Sequence, residues 1–479
     1  MRLDEYAAHD GLGLAALVRD GQVTSGELVE LAVAATAAVN PQLCAVVQAY
    51  PDRIHAPAST TGPFAGVPTM LKDLFHGEPG WECSNGSRLG QGWTVSLPDE
   101  FTQRMHRGGL IPMGRSTTSE FGLLGTTETI AAGQTSSPWS ADVMAGGSSG
   151  GAAAAVGAGI VPVAGASDGG GSIRIPASAC GVVGLKPSRG RVPWGPHTGE
   201  PLLGWAVHFV ISRSVRDTAA ALDALAGPMI GDPFNLPGPQ RPYLSEIGAP
   251  VERLRVAYWA QPWSGHPGDA EVASATERIA HLLSDLGHEV SHARPTFNWE
   301  SFLTSMTDIW SATTAHTVDG FAQMLGRPVD ETTLEGPTLA SVQHGRTVAS
   351  HRLLDAMDQV NVLTRAMGEF FADFDVLLTP TLGALPAKLG GYDPHALTAP
   401  RETFATWSHL ESFLPVFNAS GQPAISLPLC QSAGGLPIGM HLVGRFGAEA
   451  LLLRLAASLE EALPWAGRVP PIHASHQTG

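Results

Sequence analysis

Ser172 closes the run Asp168-Gly-Gly-Gly-Ser-Ile-Arg174, which holds residue types that an acyl-transfer site needs. Glycine tolerates backbone dihedrals that other residues avoid. The N–H groups of Gly169, Gly170, Gly171 and Ser172 can therefore turn toward one point and cradle a developing oxyanion. The hydroxyl at the end of that cradle would be the nucleophile, and it needs a base. Two kinds of base are open. The chain has 18 histidines, so composition allows a Ser-His-Asp arrangement. Lys72, in Gly66-Val-Pro-Thr-Met-Leu-Lys-Asp73, is the competitor. A free lysine amine has a pKa of ~10.4, so about one in two thousand is neutral at pH 7. Making it half-neutral there takes about 4–5 kcal/mol of desolvation or neighbouring positive charge. Val67, Met70 and Leu71 suit such burial, and Asp73 would oppose it if it faced the amine.

A second serine block, Gly146-Gly-Ser-Ser-Gly-Gly151, contains Gly-x-Ser-x-Gly around Ser148. That pattern marks a nucleophile elbow only where a strand leads straight into it, and Pro138–Met144 makes a weak strand. Gly165-Ala-Ser-Asp-Gly169 fits the same expression around Ser167, so the expression alone decides little. Ser149 either supports Ser148 or caps the helix that follows. Arg174 reads as a structural partner for a carboxylate or for loop carbonyls. His76, His197, His208 and His316 have no metal-ligand spacing, and no metal site is expected. Cys44, Cys83, Cys180 and Cys430 lie far apart and read as isolated thiols rather than a disulfide framework.

The positioning elements follow from periodicity and punctuation. Thr24 and Glu27 stand at capping-box spacing before a helical stripe of Leu28, Leu31, Ala32, Ala35 and Val39. A strand candidate bounded by Gly and Pro leads into Gly66–Asp73; Asp375–Pro380, Ala424–Pro428 and Ile438–Val443 read as short buried strands, and Ala448–Leu463 as a closing helix. Residues 146–190 are dense in Gly, Ala and Ser, which suits close packing of backbone on backbone and ligand better than a flexible linker. Helices and strands interleave throughout, so the fold class is α/β. The 28 basic and 44 acidic residues give a formal charge of -16, which argues against nucleic acid and anionic membranes as partners. The N-terminus carries Asp4, Glu5 and Asp10 where a secretory signal needs an apolar core, and no stretch reads as a membrane span. A cytoplasmic protein is expected.

GVPTMLKD, GGSSGG and DGGGSIRIPASACGVVGLKPSRG, in that order, resemble the amidase-signature family. The likeness extends to Arg213-Ser-Val-Arg-Asp217, Asn418-Ala-Ser-Gly-Gln-Pro-Ala424 and Gly435-Leu-Pro-Ile-Gly439, and so spans essentially the whole chain. Within the family the chain looks most like the 6-aminohexanoate cyclic-dimer hydrolases, with aryl-acylamidases and urethanases as near kinds. The resemblance implies one α/β/α domain over residues 1–479 around a mixed, twisted sheet. It implies an N-terminal helical segment to about residue 60 and a helical cap over about 230–410. It makes Ser172 the nucleophile, Ser148 a bridging serine in a cis peptide and Lys72 the terminal base, with no cofactor. A small-molecule amide or carbamate is the implied partner, and the implied assembly is a monomer or homodimer. Trp139, Phe209 and Trp310 are expected to line the substrate pocket. Two alternatives stand beside this reading: the amidase subunit of a tRNA-dependent amidotransferase, and an inactive relative used for binding.

Overall fold

In a computed structural model, residues 1–55 and 61–476 are described; residues 56–60, the end of the expected N-terminal segment, lie outside them. The N-terminal segment is helical up to the first strand. Its main helix, Ser25–Leu43, starts on the anticipated capping box: Glu27 N–H donates to Thr24 Oγ1, and Thr24 N–H to Glu27 Oε2. Leu28, Ala32, Ala35 and Val39 on its inner face are buried in the core.

That core surrounds a sheet of 11 strands. In chain order they are β1 (Val46–Ala49), β2 (Val67–Lys72), β3 (Leu110–Ser116), β4 (Val163–Asp168), β5 (Val183–Lys186) and β6 (Val207–Ser212). They continue as β7 (Arg255–Tyr258), β8 (Glu289–His292), β9 (Val376–Pro380), β10 (Ala424–Gln431) and β11 (Pro437–Gly444). The spatial order is β1-β3-β2-β4-β6-β5-β10-β11-β9-β7-β8. β3-β2-β4 and β9-β7-β8 are parallel, while every pair between β4 and β9 is antiparallel. The mixed sheet agrees with the α/β expectation. Parallel pairs need long crossovers, and helices supply them on the faces.

The stretch expected as a helical cap does carry the helices Trp299–Leu325, Gly336–Gly345, Ser350–Asp373 and Pro400–Glu411. It also supplies β7, β8 and β9, so part of it builds the edge of the central sheet. The strand anticipated before Ser148 forms at Ser140–Met144, but it pairs with Ser136–Ser137 in a separate hairpin. No sheet strand leads directly into Ser148, which removes the nucleophile-elbow reading.

Candidate active site

β2 and β4 run parallel as neighbours, so their carboxyl ends open on the same side of the sheet. In open α/β sheets such ends are where ligands gather. Lys72 closes β2, while Ser167 and Asp168 close β4. The Lys72 amine is fully buried and hydrogen-bonds to Ser148 Oγ at 2.7 Å and to Ser167 Oγ at 3.0 Å. Burial lowers its pKa to about 7, although the Asp168 carboxylate pulls the other way. Asp73, the neighbour best placed to keep the amine charged, turns elsewhere: it accepts from Arg115 Nη1 at 2.5 Å and from Ser84 N–H at 3.0 Å.

Ser148 arrives on the loop between the hairpin and the helix Gly150–Gly157, and its peptide bond to Gly147 is cis. Thr127 Oγ1 holds this loop, donating to Gly146 O at 2.8 Å and accepting from Gly150 N–H at 3.2 Å. Ser149 neither caps the helix with its side chain nor bonds to the Ser148 hydroxyl; its Oγ donates to Ser167 O at 3.1 Å. Its N–H donates to Ser172 O at 3.2 Å, which ties the Ser148 loop to the backbone of Ser172. Among the described residues no histidine nitrogen hydrogen-bonds to Ser148, Ser167 or Ser172, so the Ser-His-Asp alternative has no geometry to stand on.

Asp168 organises the glycine run. Its carboxylate accepts from Arg174 Nε at 2.9 Å and Nη2 at 3.0 Å, Asn418 Nδ2 at 2.8 Å, Gly171 N–H at 2.7 Å and Ile173 N–H at 3.1 Å. Burial would raise this carboxyl, but the Arg174 charge and these hydrogen bonds outweigh it and hold the group well below the usual carboxylate range. One expectation is corrected here. The Gly171 N–H is spent on Asp168 and is not free for an oxyanion. The N–H groups of Gly169, Gly170 and Ser172 have no partner among the described residues. Gly171 itself has a φ of +137°, where L side chains are strained, and a Cβ there would lie 2.7 Å from Leu414 Cδ1.

Two cavities meet at Ser172. One, of about 500 Å³, is walled by Gly170, Ser172, Trp299, Trp310, Phe404 and Glu411 among others. The second, of about 640 Å³, includes Phe75, Phe121, Ser148, Ser167, Ser172 and Trp310. Trp310 lines both cavities, with its ring over Gly169 and Gly170. Trp139 and Phe209 line neither. Phe209 lies on β6 and packs wholly into the main core. Trp139 donates from Nε1 to Cys180 O at 2.9 Å and covers Gly181 at the far end of the helix Arg174–Cys180. Sequence reasoning missed Ser167 as a partner of Lys72, and missed Glu411. The available signal for Ser167 was its place at a strand end beside Asp168; nothing local marked Glu411.

The Amidase family model matches residues 27–453 of the chain. The 6-aminohexanoate-cyclic-dimer hydrolase of Paenarthrobacter ureafaciens is 36% identical, over 97% of this chain and 96% of its own length. The putative amidase AmiC of Mycobacterium tuberculosis is 38% identical, over 95% of both chains. The solved structure of a 6-aminohexanoate cyclic dimer hydrolase with substrate superposes with a TM-score of 0.91 at 35% identity, covering 97% of this chain and 99% of that one. The chain belongs to the Amidase family and is an amide-hydrolysing enzyme. Among its described residues no helix is long and apolar enough to cross a membrane.

Proposed function

We propose that this chain is a serine hydrolase that cleaves the C–N bond of compact, uncharged amides, whether linear, cyclic or anilide, with carbamates as further substrates. The observation that carries the reading is the buried Lys72 amine at 2.7 Å from Ser148 Oγ, with Ser148 and Ser172 in the wall of one cavity. A neutral amine has two protons and one lone pair. It can donate to Ser167 while accepting the Ser148 proton, and Ser148 in turn can accept the proton of Ser172. Ser172 Oγ then attacks the carbonyl carbon, and the N–H groups of Gly169, Gly170 and Ser172 receive the oxyanion. The proton returns through Ser148 to the departing amine, and water releases the acyl group by the same path. A carbamate carbonyl presents the same geometry to this relay. Similarity to cyclic-dimer hydrolases favours substrates of that compact kind.

The test is a panel of a p-nitroanilide, a 6-aminohexanoate cyclic dimer, a primary amide and an aryl carbamate, compared by kcat/KM. A fluorophosphonate probe should label the wild-type protein but not Ser172→Ala. Turnover that survives intact in Ser172→Ala would reject the relay.

A further inference from the structure

Glu411 ends the helix Pro400–Glu411 and stands in the wall of the 500 Å³ cavity that contains Ser172. Its Oε1 is shielded from water yet has no hydrogen-bond partner, and no cation pairs with it among the described residues. Trp310 Nε1, from another residue of the same wall, is likewise buried without a partner. Buried polar atoms are ordinarily satisfied, and leaving one bare is unfavourable. Two in one cavity wall, one a donor and the other a carboxyl, suggest that a ligand completes them. Gly125 makes room for this arrangement: a Cβ there would fall 1.8 Å from Glu411 Oε1. The carboxyl thus occupies the space a side chain at 125 would fill, next to the cis Gly147–Ser148 loop, where a Gly147 Cβ would meet Gly125 C at 2.8 Å. The rest of that wall is largely apolar, including Leu124, Ile175, Trp299, Met306 and Phe404.

We propose that Glu411 and Trp310 form a polar subsite for a second amide or carbamate group of the substrate, its N–H on the Glu411 carboxyl and its carbonyl oxygen on Trp310 Nε1. This rests on the reading of Ser172 as the acylated residue, and it names the substrate class: molecules with two such groups, one cleaved and one held. A lone carboxyl in apolar surroundings favours its neutral form, and burial raises Glu411 to about 8. A neutral acid suits an uncharged amide better than an ammonium group.

Two p-nitroanilides of equal acyl length test it, one with an internal secondary amide and one all-alkyl. The ratio of their kcat/KM values is measured for the wild type, Glu411→Leu, Glu411→Gln and Trp310→Phe. Binding of the matching diamide to Ser172→Ala, with and without Glu411→Leu, is measured by calorimetry. Preference for the internal amide should fall about tenfold in Glu411→Leu, equivalent to about 1.4 kcal/mol. It should stay within about threefold in Glu411→Gln, whose amide still offers donor and acceptor, and fall in Trp310→Phe. Diamide binding to Ser172→Ala should weaken about tenfold on adding Glu411→Leu. A ratio that stays flat in both Glu411→Leu and Trp310→Phe overturns the subsite while leaving the hydrolase reading intact. So does a 6-aminohexanoyl anilide preferred over its acetylated form and lost in Glu411→Gln, because the group held would then be a cation. If neither anilide is cleaved but Ser172→Ala binds the diamide in a Glu411-dependent way, the subsite stands and the hydrolase reading falls. Should Glu411→Leu not fold, Trp310→Phe and Glu411→Gln carry the comparison.

Discussion

At the scale of single residues, the Lys72 amine links the pH behaviour of activity to that of stability. Only its neutral form can take the Ser148 proton, and burial sets its pKa at about 7. On the proposed relay, kcat/KM should therefore fall about tenfold per pH unit below that value and level off above it. Lys72→Met and Ser172→Ala should each lower kcat by at least about a thousandfold with the fold intact, as relay members act as a unit. The same shift fixes a stability trend. The folded pKa lies below the ordinary lysine value of 10.5, so between about 7 and 10.5 the unfolded chain binds more protons than the folded one. Stability linked to this group rises with pH across that window, and below it the cost of a charged, buried amine is borne in full. Lys72→Met should thus resist urea better than the wild type at pH 6, with the advantage shrinking toward pH 10. An advantage that is constant from pH 6 to pH 10 would mean that the amine is not desolvated.

At the scale of elements, the Asp168 carboxylate joins three elements, two of them consecutive in the chain and the third 250 residues away. It ends β4, receives Arg174 from the helix Arg174–Cys180, and receives Asn418 from the helix Pro415–Ser420. Arg174 and Asp168 are both fully buried. Neutralising one partner of a buried pair leaves the other uncompensated, at a cost of about 3–5 kcal/mol. Asp168→Asn should therefore lower the unfolding free energy by that amount, read as a lower urea midpoint at unchanged slope. Asn418→Ala removes hydrogen bonds only, and about 1–3 kcal/mol is expected. Equal losses from both variants would place the weight on the hydrogen bonds rather than on the charge pair. The Gly/Ala/Ser-dense stretch finds its reason here too. Gly150–Gly157 is buried along nearly its whole length, and a Cβ at Gly151 would lie 2.3 Å from Thr117 N. Small residues let this helix press directly on the sheet below the Ser148 loop.

At the scale of the whole molecule, the parallel β3-β2-β4 side brings Lys72 and Asp168 together, while the helix Pro415–Ser420 that precedes β10 brings up Asn418. The site lies where the two halves meet, beneath Trp299–Leu325 and Pro400–Glu411. The proposed relay draws all its residues from one chain, which predicts turnover by the purified protein alone, eluting as a monomer or homodimer in size-exclusion chromatography. Activity that appears only after adding a partner would favour the amidotransferase-subunit alternative instead. How much of this was legible beforehand differs by residue. The residues of the proposed relay, Lys72, Ser148 and Ser172, were legible because motif order carries them. The strands β9, β10 and β11 were legible because short apolar runs between Gly and Pro mark buried strands. Phe209 and Trp139 were misplaced because an aromatic side chain carries no label for the face it will meet. Glu411 was missed because a surface glutamate and a shielded one read alike in sequence.

Amino-acid order by itself determined which groups have the chemistry: a glycine run ending in a serine, a second serine loop, and a lysine at the close of an apolar strand. These are local, because backbone freedom, strand propensity and apolar flanks are written within a few residues. Only the tertiary structure decided which N–H groups stay free, that Asp73 turns from the amine while Ser167 meets it, and which walls the pocket has. Hydrogen-bond commitment and desolvation depend on neighbours up to 250 residues away, as between Asp168 and Asn418, and no local pattern encodes them.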